Sequence, residues 1–297
     1  MKEFKNMKSV YKGNKVEIYE LTSRIYFRKA DLFDRGQCNG VFLVVEGGVG
    51  IVDAPPESGE LLEEAEQLFG LPVKYLFLTH GHRDHFIGAP PLFEQDITVY
   101  CSRRLLEEIV PSEHAYRAAF VGVDGSLQVV LPGGLQLELF TPADLMHSKW
   151  DMFLRLEGGY LCTGDSAVQY SAAFFHGCDV RYWASSLRKM AAQPGEWLLV
   201  GHGDAPFAHE YLSDFAEFLT AVERTARRVM ALHQPDPNMT EKQRFASIST
   251  EDISRLTDSY FERREGDSSM LTKLSGEIHA RRQVRMVAWS LIREFIR

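Results

Sequence analysis

The residues with the most chemistry per unit length are Thr79-His80-Gly81-His82-Arg83-Asp84-His85. They follow VKYLFLT (73–79), a run apolar enough to be a buried strand, so the cluster falls in the loop at that strand's end. In extended backbone, residues two apart point to the same side, which lets His80 and His82 grip one metal ion together. Asp84 and His85 are adjacent, and a bend in the loop turns them toward a second ion beside the first. Imidazoles and carboxylates at this density suit zinc, iron or manganese, and a set without thiolates argues against a purely structural zinc. Three His and one Asp in this arrangement arise by chance in roughly 6 of 10,000 chains of such composition. The chemistry that fits is metal-assisted hydrolysis, because a divalent ion lowers the pKa of bound water to about 7.

HGHRDH resembles the HxHxDH signature of the metallo-β-lactamase superfamily, whose members fold as a four-layer αβ/βα sandwich. Other elements of that pattern follow in the same order. The family's Asp at the end of an early strand is matched by Asp53 in GIVD, and its Asp in a TGD turn by Asp165 in Thr163-Gly164-Asp165. Its His after a strand, often in HTPGH, is matched by His147 in FTPADLMHS, where Phe140 replaces the first His and the segment is longer. Its His in a GHG turn is matched by His202. The resemblance spans about residues 15–207. It implies that His80, His82 and His147 hold one metal, that Asp84, His85 and His202 hold a second, and that Asp165 bridges them. Two divalent ions, zinc first with iron or manganese as alternatives, would carry a bridging hydroxide nucleophile that Asp84 orients as the catalytic carboxylate. Asp53 is expected to orient a ligand histidine, with a plain turn residue as the alternative.

Classical metallo-β-lactamases tend to carry Cys, or no bridging carboxylate, where this chain has Asp165. An Asp there resembles the glyoxalase II, lactonase and phosphodiesterase branches. The resemblance therefore implies a hydrolase of a small-molecule ester, thioester, lactone or phosphodiester. An iron-dependent oxidoreductase of the persulfide dioxygenase kind is the alternative on the same scaffold. A non-catalytic binding module is disfavoured, because degenerate members lose ligands. Tyr170 stands five residues after Asp165, near where lactonase relatives carry a Tyr. His114, His176, His209, His233 and His279 lack companions at ligand spacing and are expected to be surface or satisfied core residues.

The elements that must position this cluster alternate between strands and helices, as an α/β fold requires. Strands are expected at 16–21, 25–28, 41–45, 50–53, 73–79, 97–101 and 196–203. A helix is expected over 57–69, ended by Gly70, another after Ser102 as its cap, and a third over 181–192. LQVVL and LQLELF straddle Pro132-Gly133-Gly134 as a hairpin, and FLRLEGGYLCTGD turns back at Gly158-Gly159. Residues 1–207 form the expected catalytic domain and 208–297 a C-terminal helical extension. In that extension Tyr211, Phe215, Phe218 and Leu219 make one apolar face, and Val284, Val287, Ala288, Leu291, Ile292 and Phe295 make another. These faces are expected to pack over the domain and form one wall of the substrate pocket, with a homodimer contact besides; a separate module hinged at Gln234–Asn238 is the alternative. Gln234–Asn238 breaks the helical pattern.

The bulk properties exclude several classes. The net charge of −8 falls wholly on residues 1–207, which weighs against a nucleic-acid binder. The first residues lack the apolar run of a signal peptide, and nothing approaches a membrane-spanning length. Cys38, Cys101, Cys162 and Cys178 form no CxxC and are expected to be reduced, mostly buried thiols in a cytoplasmic protein.

Overall fold

The computed structural model describes residues 7–31, 37–56, 58–110, 116–168, 178–195, 197–203, 206–232, 238–240, 243 and 251. They fall into two compact units. The first takes in the described residues up to 143, together with 149–168 and 194–209; the second takes in 144–148, 178–193 and those from 210 onward.

Two sheets build the first unit. In one, eight strands lie side by side in chain order: β1 (Lys8–Lys12), β2 (Val16–Glu20), β3 (Ile25–Ala30), β4 (Gly40–Val45), β5 (Gly48–Val52), β6 (Val73–Phe77), β7 (Thr98–Ser102) and β8 (Ala119–Val123). Pairing is antiparallel from β1 to β5 and parallel from β5 to β8. Connection length dictates the change. A two-residue turn joins β4 to β5, whereas β5 reaches β6 through helix α1 (Ser58–Phe69), and a parallel crossover needs that length. Beyond β6 come three short helices, α2 (Arg83–Phe86), α3 (Ala89–Phe93) and α4 (Arg103–Glu108). Leu61 and Ala65 of α1, Leu92 and Phe93 of α3 and Leu105 of α4 share one core with Phe42, Ile51, Leu76 and Val99 of the sheet. Across the sheet's other face, Phe27, Val41 and Val52 meet Cys162 and Leu199 of the second sheet around a small hollow. Covered on both sides, β5 is buried throughout, so GVGIV shows no polar alternation.

The second sheet orders its six strands as β14 (Phe207–Ala208), β13 (Trp197–Val200), β12 (Tyr160–Gly164), β11 (Phe153–Leu156), β10 (Leu135–Phe140) and β9 (Ser126–Leu131). Only β12 and β13 run parallel. Both expected hairpins form, and Gly133 and Gly158 turn them at φ 77, backbone that glycine adopts without strain. Ser102 caps α4 as expected, its Oγ accepting from Leu105 N at 3.2 Å. Strands β1 and β8 and helix α3 were not anticipated. In α3 two prolines sit in the first turn, where the missing N–H groups have no helical partner to lose.

The second unit pairs α5 (Val180–Ala191) with α6 (Tyr211–Leu232). Asp179 caps α5, accepting from the backbone N–H groups of Arg181 and Tyr182 at 3.0 Å. Trp183 is fully buried with its ring 6.1 Å from Phe215, and the expected apolar face of Tyr211, Phe215, Phe218 and Leu219 is buried. The final apolar stripe and the 234–238 break, except Asn238, lie outside the described residues. Among those residues no helix is long and apolar enough to cross a membrane.

Candidate metal centre

The site forms where strand ends of both sheets meet. β6 delivers Thr79 and His80; His82 then stands in extended backbone at φ −70, ψ 153 as the residue before α2. Asp84 and His85 lie within α2, whose turn swings them away from the direction of the two preceding histidines. From the second sheet, β12 leads into Asp165 and β13 into His202. These segments are more than a hundred residues apart in sequence at the extremes, yet Gly201 N donates to Gly164 O at 2.9 Å and fixes the two loops together.

The donor atoms converge. Those of Asp84, His85, Asp165 and His202 all lie within 4.8 Å of one another, and so do those of His80, His82 and Asp165. Asp165 serves both groups. Its Oδ1 lies 3.2 Å from His85 Nε2, and its Oδ2 lies 3.5 Å from His202 Nε2. His202 Nε2 is also 2.9 Å from Asp84 Oδ2. The His80 ring stands 4.6 Å from that of His82 and 4.2 Å from that of His85. His147 belongs to the second unit, where it is fully buried with its ring 5.6 Å from Trp183.

Asp53 sits directly behind His85. It is 2% exposed and holds φ 63, the left-handed region that Asp tolerates better than most residues. Its Oδ1 accepts from Thr79 N at 2.7 Å, and its Oδ2 accepts from Thr79 Oγ at 2.8 Å and faces His85 Nδ1 at 2.7 Å. An ionised carboxylate can only accept, so Nδ1 donates to it and Nε2 is the nitrogen turned toward the site. That Nε2 is buried, makes no hydrogen bond, and faces a carboxylate oxygen. An imidazole nitrogen and a carboxylate oxygen turned toward each other call for a cation between them, a proton or a metal ion.

The titration behaviour says the same. Burial alone would lower the pKa of His85, but the acidic groups around it, Cys38, Asp165 and Asp53, outweigh burial and raise it well above its ordinary value. Burial also opposes charge on His202, and Asp165 and the hydrogen bond that its ring gives to Asp84 again raise it. Burial would lift Asp84, yet His202 and His85 hold it below the usual carboxylate range. A pocket whose negative potential draws protons onto buried imidazoles favours divalent cations by the same field. The residues present therefore fit a metal centre.

Backbone at the site is as constrained as the side chains. A Cβ on Gly201 would sit 2.3 Å from Asp165 Oδ1 and 2.6 Å from His85 Cε1, so only glycine lets this turn pass beneath the ligands. Beside His82 stands Trp150, its ring 6.3 Å away; its indole N–H donates to Glu108 and Lys149 lies over its face. Trp150 and Asn39 escaped the sequence reading, because nothing local distinguishes them from core or loop residues, and Thr79, though part of the motif, was given no role. Cys38 is buried within 4.8 Å of Asp53 and His85, and burial pushes its thiol up. Burial likewise takes Cys101 to about 12 and raises Cys162. Arg83 is exposed, and His209 packs against Gly195. Tyr170, His114, His176, His233 and His279 lie outside the described residues.

The sequence of residues 33–202 matches the profile of the Metallo-beta-lactamase superfamily. The chain belongs to that superfamily. Its fold is similar to that of a metallo-β-lactamase from Pontibacter korlensis, at a TM-score of 0.57 and 19% identity over 69% of this chain and 99% of that one. A metallo-β-lactamase from Hirschia baltica gives a TM-score of 0.58 at 15% identity, covering 69% of this chain and 98% of its own. One from Erythrobacter litoralis, with β-mercaptoethanol in its active site, gives 0.55 at 19% identity over 70% and 98%. No curated protein is similar enough in sequence to count as a relative. The sandwich expected from the sequence is thus the superfamily's fold, with a His/Asp cluster of the kind its metal-dependent hydrolases use.

Proposed function

We propose that the protein is a dinuclear metal-dependent hydrolase acting on a small-molecule ester, thioester, lactone or phosphodiester. The observation that carries this reading is the double membership of Asp165, whose carboxylate converges both with the donor atoms of His80 and His82 and with those of Asp84, His85 and His202. In this reading His80, His82 and His147 hold one ion, Asp84, His85 and His202 hold the other, and Asp165 spans them. Zinc is the first choice for both. Bound divalent ions would activate water near neutral pH and polarise a carbonyl or phosphoryl oxygen. Asp53 keeps the His85 Nε2 aimed at the site, and Asp84, held ionised beside His202, would orient the attacking water or hydroxide. The acidic set of Asp84 and Asp165 opposite several imidazoles leaves the loaded centre mildly cationic, suited to a polarised or anionic group. Residues 1–207 supply this chemistry in a cytoplasmic enzyme.

Metal analysis of the purified protein, followed by a screen of chromogenic esters, thioesters, lactones and bis-(p-nitrophenyl) phosphate, tests the proposal. Two divalent ions per chain are expected, with activity abolished by chelation and restored by added zinc or manganese. Undiminished hydrolysis in exhaustively chelated protein would overturn it. Oxygen uptake by an iron-loaded protein would replace hydrolysis with the oxidoreductase reading.

A further inference from the structure

We infer that Asn39 is the positioning residue of His202, holding the second metal's ligand through the backbone rather than through its ring. The inference rests on the two-metal reading above. Asn39 lies in the segment before β4, on the eight-stranded sheet, and is 4% exposed. His202 lies past β13 on the six-stranded sheet, in the turn Gly201-His202-Gly203. Three carbonyl groups around that histidine end on Asn39. Its backbone N–H donates to Gly201 O at 2.7 Å, and its side-chain Nδ2 donates to Val200 O and Gly203 O, each at 3.0 Å. The remaining group, Oδ1, accepts from Ala30 N at 2.9 Å, which anchors the amide to the end of β3.

Only an amide meets this demand. Two donors and one acceptor in one plane are the inventory of Asn, and every one is used. Asp has the same shape but no N–H, and would set a carboxylate against two carbonyl oxygens. Apart from Gly201 N, which donates to Gly164 O, the turn has little to fix its shape: glycines flank His202, Gly203 holds φ 127, and Gly201 has no room for a side chain beneath Asp165 and His85. A turn with so little intrinsic preference takes its shape from what binds its carbonyls. Asn39 is therefore the link by which one sheet sets the position of a ligand carried by the other.

The test is a pair of metal dissociation constants. Titration of metal-depleted wild type with zinc is expected to show two sites. Asn39→Asp should weaken the second by about 10- to 100-fold, the range for groups that support a ligand, and leave the first within about threefold. Asn39→Ser, which keeps one donor and little strain, should shift the same site by less and serves where Asn39→Asp does not fold. Val99→Ala, a core change away from the turn, controls for general destabilisation and should leave both constants alone. Folded Asn39 variants with both constants unchanged, or both weakened equally, would overturn the assignment while leaving the two-metal reading intact. A wild type that binds fewer than two ions would overturn that reading and the assignment with it.

Discussion

His85 and His202 face the same pair of carboxylates, yet the chain holds them by opposite means. His85 sits in the turn of α2, fully buried, and its ring is gripped directly: Asp53 takes its Nδ1 at 2.7 Å while Thr79 braces that carboxylate. His202 sits in a glycine-flanked turn with its side chain 19% exposed, and its carbonyl neighbours are tied to Asn39. The first arrangement sets tautomer and lone-pair direction. The second sets where the Cα stands, while the ring is met only at the site itself, its Nε2 2.9 Å from Asp84 Oδ2.

Removing what the two share has the largest expected effect. Asp165→Ala deletes the oxygens that face both rings, and should empty the second site and lower turnover by more than about 100-fold, beyond what groups that merely support a ligand cost. Metal stoichiometry with steady-state kinetics checks this, and full occupancy with normal turnover would contradict it.

Breaking only the ring clamp should cost less. Asp53→Asn keeps the size and the tolerance for left-handed backbone but withdraws the charge that holds Nδ1 protonated. Metal affinity at the His85 site is expected to fall about 10- to 100-fold, and the protein should remain folded. An unchanged dissociation constant would mean that packing alone orients the ring.

The smallest effect is on stability, and its sign distinguishes the metal-free from the loaded protein. His85 and His202 have folded pKa values above that of an unfolded imidazole, about 6.5. In chelated protein their stabilisation is complete below that pH and is lost as pH rises through the raised values. Asp84, lowered on folding, stabilises above the unfolded carboxyl value, about 3.9, and loses this as pH falls through its folded value. Melts of chelated protein should therefore show Tm declining from pH 6 upward, more through His85 than His202. With metal bound the trend should reverse, because the ions take deprotonated rings. A chelated Tm that climbs from pH 6 to 9 would contradict the assignment.

Much of the fold was legible because its signals are local. Buried parallel strands betray themselves as unbroken apolar runs, as in VKYLF. Hairpins show as glycine pairs between alternating runs, and Ser102 marks a helix start by its ability to accept from the first turn. Edge strands β1 and β8 escaped because partial exposure blurs both patterns. The buried pair of Arg28 and Glu64, joined at 2.7 Å between β3 and α1, was equally invisible, since an Arg in a strand ordinarily reads as a solvent-facing residue.

By itself the sequence determined the ligand types and the spacing of HGHRDH, because metal preference is a property of donor atoms and two-residue spacing is a property of extended backbone. It also determined that Asp165 and His202 stand just past strands. That Asp165 offers one oxygen to His85 and the other to His202, that Asp53 takes the far nitrogen of the same ring, and that an asparagine of one sheet holds a turn of the other were decided only by the tertiary structure. The physical reason is range. Periodicity reports which face of its own element a residue occupies, whereas a hydrogen bond between Asn39 and Gly203 depends on how two sheets are registered, and no short window of sequence carries that register.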